Sequence, residues 1–290
     1  MAEPTRNPAE PTATPATWFV TGASRGLGLE LVRQLLQRGD NVAATTRSTD
    51  RLLGALAGVD TARLLPLQVD LGDPTSVGAA VADTAEKFGH LDVVVNNAGY
   101  GLIGAVEETT DAEARAMFDI QVFGVWNVLR ATIPHLRTAS SGHIVNVSSI
   151  LGLTAFPGWA LYSAGKFALN GLSEALAQEL ADFGIQVTIV EPGYFRTDFL
   201  TTDSLALPTA AGDAYPALRE MTEQHLQMQG TQLGDPVKGA AAIIEIALTG
   251  QGPLHQLLGS DAVAMAQGKI DALAADVKAG YDLAVTTDHA

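Results

Sequence analysis

The 290-residue sequence contains no cysteine. That excludes disulfides, thiolate catalysis and cysteine-ligated zinc, and it fits a reducing, cytoplasmic setting. Positive charge is scarce: 17 Lys and Arg stand against 32 Asp and Glu, a formal net charge of −15. A surface that acidic repels phosphate backbones and anionic lipid, so neither nucleic acid nor a membrane surface is expected as a partner. The six histidines, at 90, 135, 143, 225, 255 and 289, follow no metal-ligand spacing, and no metal is expected. No apolar run approaches the roughly 18 residues that a membrane-spanning helix requires.

What is present is apolar material for a core, 47% of all residues. Residues 1–16 differ from the rest, with Pro4, Pro8, Pro11 and Pro15 among Ala, Thr and Glu. With no basic or apolar leader region, this stretch is expected to be a flexible tail rather than a signal peptide. Short apolar runs then alternate with helical segments. Strands are expected at Trp18–Val20, Val42–Thr46, Leu64–Val69, Leu91–Val95, His143–Val147 and Gln186–Val190, with a short one near Leu254–Leu258. The long helices are expected at Asp111–Leu136 and Trp159–Asp182. Strands that apolar are buried on both faces, and helical crossovers make them parallel. The fold class is therefore α/β, a Rossmann-type doubly wound parallel sheet in a single domain over residues 17–259. Residues 198–235, rich in Thr, Asp, Pro, Gly and Gln, break the alternation and are expected to form a substrate loop or lid. Asp235-Pro236 opens a further helix. Over residues 260–290, Val263, Ala266, Ile270, Leu273 and Val277 make an amphipathic helix, expected to pack on the domain's own core.

Three segments carry chemistry. Gly22, Ser24, Arg25, Gly26, Leu27 and Gly28 follow the first strand and open a helix. Glycines there allow a tight turn and close approach to a pyrophosphate, which the free helix amides attract. Asn97, Ala98 and Gly99 follow the strand ending at Val95, where ligands of open α/β sheets bind. Ser149 follows the strand ending at Val147, and Tyr162 and Lys166 stand four apart, on one face of a helix. A free tyrosine titrates near 10, and a neighbouring ammonium favours its phenolate.

The glycine-rich turn, Asn96-Asn97-Ala98-Gly99, Ser149, Tyr162-x-x-x-Lys166 and Pro192-Gly193, in this order, resemble the short-chain dehydrogenase/reductase family over residues 17 to about 200. The resemblance implies that Tyr162 is the general acid/base, that Ser149 holds the substrate oxygen, and that Lys166 binds the nicotinamide ribose and lowers the pKa of Tyr162. It further implies cofactor contacts from Asn97, from Asp70 and Leu71 at the adenine, and from Pro192, Gly193 and Thr197 at the carboxamide. One position departs from the family pattern: Gln121 stands in Ile120-Gln121-Val122-Phe123-Gly124 where an asparagine usually serves the proton relay. Tyr100-Gly101-Leu102-Ile103-Gly104 and the C-terminal extension resemble a bacterial subgroup whose known analogues act on steroids and retinoids.

The expected activity is interconversion of a carbonyl and a secondary alcohol on a hydrophobic substrate. Leu151, Leu153, Phe156, Trp159, Tyr194 and Phe195 are the candidate pocket residues, although such side chains line pockets and cores alike. NADP(H) is the expected cofactor. The second strand ends in Thr46-Arg47 with no carboxylate for a ribose hydroxyl, and Arg25 lies in the neighbouring turn. The resemblance implies homodimers or tetramers through the long helices. Two alternatives stay open: epimerisation, dehydration or dehalogenation on the same site, and a non-catalytic cofactor-binding sensor.

Overall fold

The computed structural model describes residues 15–289. Most of the tail expectation, residues 1–14, lies outside them. Ala16 is not part of a tail: its amide donates to Asp40 Oδ1 and its methyl packs on the core.

The chain begins with β1 (Thr17–Val20), α1 (Gly26–Arg38), β2 (Asn41–Thr46), α2 (Thr49–Ala55), β3 (Leu64–Gln68), α3 (Pro74–Phe88) and β4 (Val93–Asn96). A two-residue strand β5 (Gly101–Leu102) precedes α4 (Asp111–Phe118), α5 (Val125–Ala139), β6 (Gly142–Val147), α6 (Ala160–Leu180) and β7 (Ile185–Pro192). After β8 (Leu205–Ala206) come α7 (Pro216–Gln227), α8 (Pro236–Thr249), β9 (His255–Leu258) and α9 (Ser260–Val285). The main sheet has the order β3-β2-β1-β4-β6-β7-β9, and every pairing is parallel. This is the α/β, Rossmann-like sheet expected.

Side-chain alternation divides the core. Trp18 and Val20 face α1 and α8, where they meet Leu31, Leu35, Ala240 and Ile243. Phe19 faces the other layer, with Val77, Val128 and Leu169 from α3, α5 and α6. A third apolar cluster, with Leu102, Met117, Ile150, Trp159, Tyr162, Leu200 and Leu205, lies beyond the carboxyl ends of the strands. The chain reverses direction across the sheet between β1 and β4, and that reversal opens a crevice there.

Three expectations change. The single helix expected over Asp111–Leu136 is interrupted by a π turn at Asp119–Gly124. The extra residue in such a turn re-aims the side chains it carries, and Gln121 is one of them. The segment 198–235 is not only loop. It contains α7, and Met221, Leu226 and Met228 pack on the third cluster. Arg219 pairs with the buried Glu108, and Tyr215 Oη donates to Glu107 at 2.8 Å, holding the segment against the approach to α4. The stripe on α9 does not cover the protein's own core as a whole. Ala262 and Ala266 are buried against the third cluster, but every residue from Gln267 to His289 is exposed. Ile270, Leu273 and Val277 are 53–65% exposed, because the helix continues past the domain after two turns of contact, and Val263, within those turns, is 54% exposed as well.

Candidate active site

The turn after β1 is shaped by its glycines. Gly22 has φ +68° and Gly26 φ +55°, a region that only glycine enters without strain. A Cβ on Gly22 would lie 2.7 Å from Ala98 Cα, so the turn after β4 fits against it only because the side chain is missing. Asn97 Nδ2 donates to the carbonyls of Thr21 and Gly22 at 2.9 and 3.1 Å, which ties the two turns together. A Cβ on Gly28 would run into Asn97 Nδ2 and the Gly22 carbonyl, so the two turns close on each other only because the side chain is missing.

The cleft encloses about 1330 Å³. That exceeds the roughly 300–1,000 Å³ of a pocket for one drug-sized molecule and has room for a dinucleotide beside a second ligand. Along one limb lie Ser24, Arg25, Gly26, Leu27, Arg47, Asp70, Leu71, Ala98 and Gly99. Asp70 Oδ1 accepts from the amide of Gly72 at 2.9 Å and so shapes its own turn as it lines the wall. Arg51, four residues after Arg47 on α2, joins Arg25 and Arg47 there. Burial lowers the Arg25 pKa, and the charges of Arg51 and Arg47 lower it further. Three guanidinium groups thus concentrate positive charge along this wall. Asp203, from the 198–235 segment, approaches two of them: its carbonyl accepts from Arg25 at 2.9 Å and its carboxylate lies 3.8 Å from Arg51.

At the centre, Ser149, Tyr162 and Lys166 converge. Ser149 sits in the turn after β6, while Tyr162 and Lys166 occupy successive turns of α6 and are 5% exposed each. Ser149 is near enough to the Tyr162 hydroxyl to favour its phenolate, and its own Oγ accepts from the Leu151 amide at 3.1 Å. Lys166 Nζ donates to the Val147 carbonyl at 3.0 Å and lies 5.7 Å from the centroid of the Tyr162 ring. Burial raises the Tyr162 pKa, partly offset by the nearby Ser149 hydroxyl. Burial also pushes Lys166 down to about 8. With this geometry burial, not the ammonium, dominates the phenol.

The Lys166 value gives a test. Its folded pKa lies below the unfolded 10.5, so above pH 8 the unfolded chain binds the extra proton. Stability should therefore rise with pH from about 8 to 10, where the raised Tyr162 begins to act in the opposite direction. In urea unfolding across this range, Lys166→Met is expected to flatten the rise by up to about 3 kcal/mol. An unchanged slope would assign the rise to other groups.

Gln121 is 1% exposed. Its Nε2 donates to the Tyr100 carbonyl at 2.7 Å, while Oε1 is buried without a partner among the described residues. A Cβ on Gly99 would lie 3.8 Å from both Gln121 Cγ and Lys166 Nζ, so the amide and the ammonium are neighbours.

The other limb is apolar. Leu151, Phe156, Trp159, Tyr194, Phe199, Leu200, Leu205 and Met265 line it. Trp159 and Phe199 stack edge-on against Tyr162 at centroid distances of 5.4 and 5.9 Å. The Tyr194 hydroxyl bonds His225 Nε2 of α7 at 2.9 Å, with His225 Nδ1 on the Met221 carbonyl. One candidate moves out of this limb and a second is shared with the core. Leu153 packs in the third cluster without lining the cleft. Phe195 reaches the wall, yet its ring rests on Gly234 and Gly239 and packs on the α1/α8 core. Pro192, Gly193 and Thr197 lie where the limbs join. The Tyr194 amide donates to Asp261 at 2.7 Å, so the start of α9 helps to build the site.

Phe199 and Leu205 belong to the 198–235 segment expected to form the substrate loop, whereas Arg51 and Met265 are lining residues that no sequence expectation named. Arg51 carried a usable signal in its i+4 spacing from Arg47; Met265 depends on tertiary placement.

The family model for short chain dehydrogenases matches residues 16–206. The chain belongs to this family. An oxidoreductase, BOA17, of Botryotinia fuckeliana is 36% identical over 93% of this chain and 98% of its own length. A 3-ketodihydrosphingosine reductase of Bacteroides thetaiotaomicron is 34% identical over 84% of this chain and 90% of its own. A solved short-chain dehydrogenase from Streptomyces avermitilis is 38% identical, with a TM-score of 0.88 over 95% of this chain and all of that one. More distant solved structures include complexes with NAD and with NADP. The protein is a short-chain dehydrogenase/reductase, an oxidoreductase of a nucleotide-binding family. Among the described residues, no helix is long and apolar enough to cross a membrane.

Proposed function

We propose that the protein is an NADP(H)-dependent ketoreductase that interconverts a carbonyl and a secondary alcohol on a hydrophobic substrate. The observation that carries this reading is the convergence of Ser149, Tyr162 and Lys166 in one cleft, between a cationic limb and an apolar one. The residues present fit a dinucleotide: glycine turns that a Cβ would fill, three arginines at one end, and Lys166 at the other. A nicotinamide dinucleotide, when bound, supplies or takes up the hydride. In the reducing direction Tyr162 Oη gives its proton to the carbonyl oxygen. The Ser149 hydroxyl donates to that oxygen as negative charge develops there, the electrostatic term that usually contributes most. Lys166 holds the cofactor ribose and stabilises the phenolate left behind.

The apolar limb selects the substrate. Phe156, Trp159, Phe199, Leu205 and Met265 offer no charged partner, so a long or bulky apolar carbonyl compound suits it better than a small acid. Turnover of a panel of apolar ketones and alcohols with both nicotinamide cofactors, followed by cofactor absorbance, tests the reading. Substrate conversion with no net change in absorbance would replace it with epimerase or lyase chemistry.

Gln121 serves the proton supply to Lys166 through its unpartnered Oε1. Gln121→Leu is expected to lower kcat, and Gln121→Asn to preserve or raise it. A leucine variant with parental kinetics across pH would show that position 121 only supports the π turn.

The protein assembles as a homo-oligomer. Phe123, Trp126 and Phe167 are 42–50% exposed on the long-helix face, and the α9 stripe offers a second apolar surface. Light scattering should give a mass above the monomer, reduced by Trp126→Asp or by Ile270→Asp with Leu273→Asp. A monomeric parent would overturn this.

A further inference from the structure

Behind the catalytic residues lies a buried polar cluster that the mechanism above does not use. Asn170 follows Tyr162 and Lys166 on the same face of α6, at the same four-residue spacing, and is 3% exposed. Its Oδ1 accepts from Ser148 Oγ at 2.6 Å and its Nδ2 donates to the Gly152 carbonyl at 3.0 Å. One side chain thus grips both ends of the turn that carries Ser149. The fit is close: a Cβ on Gly152 would lie 2.6 Å from Ser148 Oγ and 2.8 Å from the Asn170 amide.

The second N–H of Asn170 goes to Glu191 Oε1 at 2.7 Å. Glu191, on β7, has no exposed surface, and its Oε2 has no partner among the described residues. His255 of β9 approaches the same Oε1 through Nδ1 at 3.3 Å, and its Nε2 lies 3.4 Å from Glu174 of α6. A buried carboxylate is costly to retain unless its acceptor is used.

Here that acceptor decides which way Asn170 points. With the amide reversed, its oxygen would face both the Glu191 carboxylate and the Gly152 carbonyl, and the Ser148 hydroxyl would lose its acceptor. Only the observed orientation satisfies all three neighbours.

We propose that Glu191 is a positioning residue: acting through Asn170, it holds the 148–152 turn so that Ser149 meets Tyr162. The inference rests on the reading of Ser149 as the group that meets the substrate oxygen. His255 is the surface-side hydrogen-bond partner of Glu191, and Glu174 is the only other ionisable group joined to the cluster by the contacts above.

The test compares Glu191→Gln, which keeps an acceptor oxygen of the same size, with Glu191→Leu, which removes it. The leucine variant is expected to lose about 10-fold or more in kcat, as small misplacements of reacting groups do, while cofactor affinity stays within about twofold. The glutamine variant should stay near the parent. Loss in both variants, or a kcat loss matched by weaker cofactor binding, would overturn the positioning role.

Hydrogen exchange supplies a readout that needs no substrate. Amides of residues 148–152 should exchange faster in the leucine variant alone, with the remaining helices unchanged. If the parent turns over no ketone or alcohol, the functional reading fails, and exchange still decides whether Glu191 holds the turn. Should Glu191→Leu not fold, Ser148→Ala cuts the other side of the same grip at almost constant volume. It is expected to speed local exchange and lower kcat several-fold, and parental values in both would overturn the proposal.

Discussion

Tyr162→Phe is expected to lower kcat by at least about 100-fold, the lower range for the loss of a general acid. The change removes one oxygen from a side chain that is 5% exposed and packed edge-on between Trp159 and Phe199, so the ring and its neighbours stay in place. Cofactor affinity, which depends on the glycine turns, the arginines and Lys166, should hardly change. Burial holds the phenol in its neutral form well above neutral pH, the state required of a proton donor to a carbonyl. In the oxidising direction the same upward shift opposes loss of the proton, so the rate of alcohol oxidation should rise with pH in the parent and lose that dependence in the variant. Saturating-substrate kinetics in both directions, with cofactor binding measured separately, check this. A phenylalanine variant that keeps most of its rate would remove Tyr162 from the chemistry.

Much of this arrangement was legible in the sequence because it is local. Each crossover leaves a strand, a turn and a helix in order, so Gly22, Asn97, Ser149 and Tyr162 could be placed at strand ends before any contact was known. Periodicity failed where local pattern and tertiary packing part company. The apolar spacing runs without a break through Asp111–Leu136, so the π turn that re-aims Gln121 leaves no mark on it. On α9 the stripe from Val263 to Val277 was visible, but periodicity shows that a face is apolar, not what covers it, and the domain covers only the first two turns. Leu153 was the expected confusion between pocket and core, and Phe195 serves both. The grip of Asn170 on Ser148 and Gly152 joins residues 18 to 22 apart, and Glu191 adds a third element. No short motif announces such a cluster.

Cofactor choice is where sequence and geometry combine to give the other large effect. NADP(H) differs from NAD(H) by a 2′-phosphate of about two negative charges, and an NAD-selective site would present a carboxylate at the end of β2. Thr46 stands there, followed by Arg47, with Arg25 and Arg51 on the same wall. On a chain of net charge −15 this cluster would also counter the general repulsion of an anionic cofactor. Arg25→Ala with Arg47→Ala is expected to weaken NADPH by several kcal/mol, at about 1.5–3 kcal/mol for each charged hydrogen bond lost, and to leave NADH almost unchanged. Arg51 remains in that double variant, so the residual preference should fall again on Arg51→Ala. The Asp203 carboxylate lies 3.8 Å from Arg51 and its charge also acts on Arg25, so Asp203→Ala, which keeps the backbone bond to Arg25, should strengthen NADPH more than NADH. Titrating both cofactors against the parent and these variants decides the matter, and equal affinity of the parent for NADH and NADPH would sink the assignment.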